Sequence, residues 1–393
     1  MTAELGSQRH LFSIPPDQIW LNNAYMGPIP VPAQRAAEQA LARRAFPLAI
    51  TADDFFTPAE RTRELLAGLV GTDAGHVAFV TTAAQGLALV ARNLEPRSGA
   101  YVVLLADQFP SNVDPWREWR ESGVGLRTVR APSAPWRASG SMPSSAQRWS
   151  TAVLEAIDRD TMLVAMEQAH WTDGTLFDLA AIGARCREVG AAFVIDATQT
   201  AGAMPLDIGA LGIDALVVHC YKSMLSQYGL GFVALSDRFA DGSPLDQSWL
   251  MRVGSENFSG LLDYQDDYAH GMRRFDTSLR ANPVLIATLE VSARLLTEWQ
   301  PARIRDYLLR IARPFVQRMN EAGFEIADDD ARAANVFGIR LPAGMHAADV
   351  RAALAARNIH VSVRGSAVRV APHVYSEPGD FDALADAMLG LPR

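Results

Sequence analysis

Two residues whose types could do chemistry stand near the middle of the chain, each closing an apolar run: Asp196 ends AFVID and Lys222 ends DALVVHCYK. Lys222 is the one lysine among 393 residues; the other Lys/Arg positions are all arginine. Arginine replaces lysine as a surface charge or an ion-pair partner. Its guanidinium, however, keeps its proton and delocalises its lone pair, so it forms no Schiff base at neutral pH. A chain that uses arginine elsewhere and lysine once suggests a position that needs an amine; the alternative is chance survival in an arginine-biased composition.

An acid at the end of one buried strand and an amine at the end of a neighbouring one meet the needs of pyridoxal phosphate (PLP). The acid keeps the pyridine nitrogen protonated so that the ring takes up electrons, and the amine bonds the aldehyde carbon. The runs DATQTAG, HCYKSML and YGLGFVAL resemble the cofactor site of the class V aminotransferase family of fold type I PLP enzymes, which includes cysteine desulfurases, isopenicillin N epimerase-like proteins and kynureninase. The resemblance extends from Leu21 to Ala383. NNAYMGPIP, QFPSNVDPW, HWTDGT and VSVRGSAVRVAPHVY bring it nearest the isopenicillin N epimerase-like and selenocysteine lyase-like group. It implies PLP as cofactor, Lys222 as its Schiff-base lysine and as the base at the substrate α-carbon, and Asp196 as the partner of the ring nitrogen.

Several elements must position these groups. HVAFVTT reads as a short buried strand, and TTAAQGLALVARNL as a helix capped by Thr82. Such a strand-to-helix junction offers backbone N–H groups and the positive end of a helix dipole to an anion. The resemblance puts the cofactor phosphate there, around Ala84 and Gln85. After the strand YVVLLA, Phe109 falls where the family stacks an aromatic ring on the cofactor; a core anchor is the other reading. MLVAMEQ then reads as a strand entering the turn AHWTDGT. There Trp171, flanked by His170 and Thr172, occupies the position of an Asn that relatives use on the cofactor's phenolic oxygen. Gln199 takes the place of the family Gln that reaches the same oxygen. His219 and Tyr221 replace the polar pair that bonds the phosphate, although a His on an apolar strand is often a satisfied core group.

In relatives a hydroxyl from one subunit reaches the phosphate held by the other. Thr277 and Ser278 are the candidates for that role, or else they are helix caps, and the resemblance therefore implies a homodimer. At the start, IWLNNAYMGPIP reads as an irregular arm. It carries Asn23 and Tyr25, which are substrate-side candidates by resemblance or simple turn formers. RVAPHVYSEPGD resembles the family's closing motif, which makes Arg369 the expected bidentate clamp on a substrate carboxylate.

Periodicity and resemblance together predict an α/β protein: a large doubly wound domain with a mostly parallel sheet and a smaller α+β C-terminal domain. The expected divisions are an N-terminal arm over the active site at 1–30, a large PLP-binding domain at 31–275 and a small domain at 276–393. The Ser/Pro-rich stretch 131–150 reads as a surface excursion. A net charge of −8 with no Lys/Arg stripe argues against a nucleic-acid partner. Two cysteines are too few for a disulfide framework, no run is long enough to span a membrane and the start lacks a signal-peptide pattern, so a cytoplasmic location is expected. No metal site is expected.

The expected function is that of a PLP-dependent enzyme acting at the α-carbon of an amino-acid-like small molecule, as an aminotransferase or a carbon–sulfur or carbon–heteroatom lyase. Epimerisation and kynureninase-like hydrolysis use the same apparatus. A binding or regulatory protein on the same fold is the alternative from another class, and the retained lysine speaks against it. IHVSVRGSAVR contains no cysteine, whereas the desulfurases of the family accept sulfur on one shortly before the clamping arginine. Cys220, two residues before Lys222, reads as buried filler. A nicotinamide dehydrogenase is disfavoured because no G-x-G-x-x-G follows the early strands.

Overall fold

The computed structural model describes residues 4–139, 142–364 and 367–391. Seven strands form the main sheet: β2 (Val77–Val80), β3 (Tyr101–Leu105), β4 (Gly125–Val129), β5 (Thr161–Glu167), β6 (Ala192–Asp196), β7 (Ala215–His219) and β8 (Gly231–Leu235). β1 (Ile19–Trp20) lies in the N-terminal arm. The spatial order of the sheet is β2-β8-β7-β6-β5-β3-β4, with β8 antiparallel to both its neighbours and the remaining pairs parallel. These strands read as continuous apolar runs because both faces of the sheet are covered. Alternate residues divide between two clusters: Phe79, Val164, Phe193, Ile195 and Val218 pack on one side, and Ala78, Ala165, Val194 and Val217 on the other.

The path β3 to β4 runs toward one edge, while β5, β6 and β7 run toward the other. The switch point therefore lies between β3 and β5. In open α/β sheets the crevice outside the carboxyl ends of the strands at such a point is where ligands bind. A second sheet of three antiparallel strands, β9 (Phe337–Arg340), β11 (Ser362–Arg364) and β12 (Ala367–Val370), has the order β11-β12-β9. The expected pairing of a large, mostly parallel sheet with a smaller α+β unit is thus the architecture observed.

Two expectations need correction. The arm is not wholly irregular: β1 pairs in parallel with β10 (Ile359–His360), and Asn22 bridges to Ala371. The sequence hides this because both strands are two residues long and their partners stand at opposite ends of the chain. The stretch 131–150 does not end as an excursion either. Ser144 and Gln147 cap each other reciprocally and open a helix, Ser145–Ala156, that buries Trp149.

The junctions near the switch point follow from local chemistry. Thr82 accepts the Gln85 amide at 3.1 Å and starts helix α1 (Ala83–Arg92) directly after β2. The arm reaches the lysine loop at Gly27, whose N–H donates to the Tyr221 carbonyl at 3.0 Å. A Cβ on Gly27 would lie 2.3 Å from the Lys222 carbonyl oxygen, so that approach requires glycine. The segment bearing Thr277 is held to β2 by Asp276, which accepts the Phe79 amide at 2.8 Å and both terminal nitrogens of Arg63 at 3.1 and 2.7 Å. Arg63 and Asp276 are both buried. Asp276→Ala leaves the Arg63 guanidinium buried without that partner and is expected to lower stability by about 3–5 kcal/mol, read by urea denaturation; a loss below about 1 kcal/mol would show that Glu60, the other acid on Arg63, suffices alone.

Candidate active site

The carboxyl ends of the main-sheet strands and the loops after them enclose a cavity of about 170 Å³. It is lined by Thr82, Ala83, Ala84, Phe109, Ser111, Glu167, Trp171, Asp196, Thr198, Gln199, His219, Tyr221, Lys222 and Tyr228. Eight of the residues singled out from the sequence meet here: Ala84, Phe109, Trp171, Asp196, Gln199, His219, Tyr221 and Lys222. Arg369 approaches the same place from β12, donating Nη1 to the Trp171 carbonyl at 2.8 Å.

Lys222 is buried, and among the described residues its Nζ has no hydrogen bond or ion pair. It lies 5.3 Å from the ring centres of both Phe109 and Tyr221. Burial above all, followed by the charges of Arg369 and Arg364, lowers its pKa to about 8, while Asp196 and Glu167 oppose that fall. Asp196 ends β6 and accepts the Thr198 amide at 2.8 Å. Burial raises its pKa, and hydrogen bonding from Thr198 and the charge of Lys222 pull the other way. Thr198 also accepts the His219 amide on its hydroxyl at 3.0 Å, so one side chain fixes the spacing between the ends of β6 and β7.

The anion end is built from a helix start and three rings. With the Gln85 amide taken by Thr82, the Ala83 and Ala84 amides are the ones a bound anion can use. Gln85 does not line the cavity; its side-chain oxygen turns back to the Thr81 amide at 2.7 Å. His219, Tyr221 and Tyr228 pack ring to ring at 4.5–4.8 Å. Burial and then Lys222 lower the His219 pKa to about 4. The Gly229 amide donates to its Nε2 at 3.4 Å, which leaves Nδ1 to carry the proton of the neutral ring. Burial lifts Tyr221 to about 12, which keeps its hydroxyl a donor.

Asn23, Tyr25, Thr277 and Ser278 stand apart from the cavity lining, whereas Gln199 forms part of it. Asn23 is buried in the arm and accepts the Tyr375 hydroxyl at 3.2 Å, whereas Tyr25 is exposed. Thr277 caps a 3-10 turn through the Leu279 amide at 3.4 Å, and Ser278 faces solvent. Gln199 lines the cavity, donates to the Ala24 carbonyl at 3.4 Å and leaves its Oε1 without a partner.

The sequence reading missed Glu167, which ends β5 and pairs in register with Asp196. MLVAME closes on an acid just as AFVID does, and that repeated pattern was the available signal. Glu167 accepts the Phe109 amide on one carboxylate oxygen at 3.1 Å and the Trp171 amide on the other at 2.9 Å. A single side chain therefore ties together two loops whose rings meet edge to face at 5.4 Å. Trp171 donates its indole N–H to the Asp107 carbonyl at 2.7 Å, which fixes the ring on the first of those loops.

This donor set fits PLP. A buried amine, an acid on the next strand, a stacking ring and free amides at a helix start are the groups the cofactor requires; among the described residues the amine has no partner, and the buried Nε and Nη2 of Arg369 lack acceptors. Comparison with known proteins agrees. The family model described as aminotransferase class-V matches residues 48–377. A probable cysteine desulfurase of Methanothermobacter thermautotrophicus is 28% identical over 56% of this chain and 53% of its own, so this chain aligns with about half of that relative. An isopenicillin N epimerase of Streptomyces clavuligerus is 26% identical over 99% of this chain and 98% of its own. The structure of the cystine C-S lyase C-DES with its reaction product cysteine persulfide superposes with a TM-score of 0.83 at 16% identity, covering 96% of this chain and 99% of that one, which shows a shared fold.

Burial, with Asp196 adding to it and His170 and the two amides opposing it, raises the Glu167 pKa from 4.5 to about 7. Between those values the native state holds more proton than the unfolded chain, so this group's contribution to stability declines as pH rises through the window. Glu167→Gln is expected to flatten that slope in urea denaturation series from pH 4.5 to 7. Glu167→Ala, which leaves two amides without an acceptor, is expected to cost about 2 kcal/mol. An unchanged slope in the Gln variant would show that another group titrates there.

Proposed function

The chain belongs to the class V aminotransferase family, and on that premise we propose that it is a PLP-dependent enzyme acting at the α-carbon of an amino-acid substrate, as an aminotransferase or a carbon–sulfur lyase. The observation that carries the proposal is Lys222, the only lysine, buried and, among the described residues, without a hydrogen-bond or ion-pair partner, in the midst of the groups PLP requires. When bound, PLP supplies an electron sink for negative charge developing at the substrate α-carbon.

The roles follow from the surroundings of each residue. Lys222 would hold the cofactor through its amine and would move the proton at the substrate α-carbon. Desolvation keeps that amine neutral at a mildly alkaline pH. Asp196 would partner the ring nitrogen and Phe109 would support the ring, with Trp171 edge-on to Phe109. The Ala83 and Ala84 amides, with His219 and Tyr221, would hold the phosphate, and Gln199 would serve the phenolic oxygen. Arg369 binds the substrate carboxylate through the two donor atoms that have no acceptor.

In a homodimer, Thr277 and Ser278 of one subunit complete the phosphate site of the other, and the exposure of Ser278 supports that reading. Asn23 and Tyr25 form the substrate side of the arm. The division at residues 30 and 275 is supported by the span of the sheets, since the main strands lie within 77–235 and the three-stranded sheet within 337–370.

Both cysteines are buried and free; burial lifts Cys186 to about 12 and Cys220 higher still. A thiol held protonated does not attack, so in the lyase reading sulfur departs on a small molecule. Free thiols, with no helix among the described residues long and apolar enough to cross a membrane, support a cytoplasmic location.

Mixing the protein with PLP is expected to give a visible band that borohydride abolishes, with the added mass mapped to Lys222. Lys222→Ala is expected to lose the adduct and to cut turnover about a thousandfold. The absence of both band and adduct in the wild-type protein would overturn the proposal.

A further inference from the structure

Arg369 has a neighbour of the same charge that the site as described leaves idle. In the hairpin formed by β11 and β12, Ser362 stands directly opposite Arg369, so the two side chains share one face of the small sheet. Arg364 is two residues beyond Ser362 on the same strand and therefore projects from that face as well. Both guanidinium groups converge on one indole: Arg364 lies 5.3 Å and Arg369 5.8 Å from the centre of the Trp171 ring.

Neither arginine has an ion pair among the described residues, although arginine–carboxylate pairs are common elsewhere in the molecule. Arg364 spends Nη1 on the carbonyl of its own neighbour Val363 at 2.7 Å and leaves Nε buried without a partner. Arg369 spends Nη1 on the Trp171 carbonyl and leaves Nε and Nη2 in the same condition. Burial first and then the charge of Arg364 lower the Arg369 pKa to about 9, which agrees with two cations facing one space.

The acids nearby form no ion pair with them. Both oxygens of Glu167 are taken by the Phe109 and Trp171 amides, and Asp196 is held by Thr198 on the cofactor side. One substrate carboxylate would satisfy the donors of Arg369 and neutralise one charge, leaving the second arginine beside Trp171 uncompensated.

We propose that the substrate is an α-amino acid with a second carboxylate, which Arg364 holds beside Trp171 while Arg369 holds the first. This rests on the assignment of Arg369 as the α-carboxylate site, and the test separates the two. Binding of succinate and glutarate to the PLP-loaded enzyme would be compared with that of butyrate and valerate, their monocarboxylate counterparts of equal length. Calorimetry at fixed ionic strength would be applied to the wild type and to Arg364→Gln, Arg364→Lys and Arg369→Gln.

The diacids are expected to bind at least about tenfold tighter than the monoacids. Arg364→Gln is expected to bring that ratio close to one, and Arg364→Lys, which keeps the charge but not the fork, to restore part of it. Equal binding of mono- and diacids by the wild type, or a preference that survives Arg364→Gln, would overturn the inference while leaving the site assignment intact. Monoacid binding untouched by Arg369→Gln would instead overturn the assignment on which it rests.

Discussion

The structure depends on keeping one amine out of water without pairing it. A buried lysine held by a carboxylate at contact distance would be a stable ammonium; a buried lysine with no opposite charge near it would lose its charge entirely. Lys222 stands between these limits. Desolvation and two arginines push its proton off, and two acids at neighbouring strand ends hold it on. The balance needs all five charged groups at fixed distances, and the fold achieves this by placing them on separate rigid elements. Asp196 and Glu167 end paired strands of the main sheet, Lys222 follows β7, and the arginines stand on the small sheet.

The loops at the switch point are fixed by side chains that have no direct chemistry. Thr198 joins the ends of β6 and β7, and Glu167 joins the loops after β3 and β5. Gly27 lets the arm lie against the lysine loop. Because a Glu167 contact fixes Trp171, and the carbonyl of Trp171 in turn receives Arg369, the arginine on β12 is connected through Trp171 to the ring of Phe109. The small sheet and the loops of the main sheet are therefore mechanically linked in this site, and the acid that links them, Glu167, stands in register with Asp196.

The chemistry of sulfur is limited by burial rather than by residue type. Two cysteines are present, one of them two positions from the lysine, yet both are enclosed in apolar surroundings that hold the thiol protonated. Proximity in sequence to a reactive lysine gives no access to substrate: Cys220 precedes a loop that turns Lys222 into the cavity, while its own side chain packs into the core.

By itself the sequence determined the parts of this site that are local. A lone lysine is a matter of composition, and an acid closing an apolar run marks a strand end. The Thr82 cap is read from residues a few positions apart, so Asp196, Lys222 and the helix start after β2 could be named without coordinates. The apolar runs likewise gave the strands, because a sheet covered on both faces leaves no alternation to misread. Tertiary structure decided what depends on register and on distant partners. Glu167 gained its meaning only when β5 paired with β6, Arg364 only when β11 folded onto β12, and the arm only when β1 met β10 at the far end of the chain. The physical reason is the same in each case: charge and hydrogen-bond satisfaction belong to pairs, and a sequence lists the members without saying which of them meet.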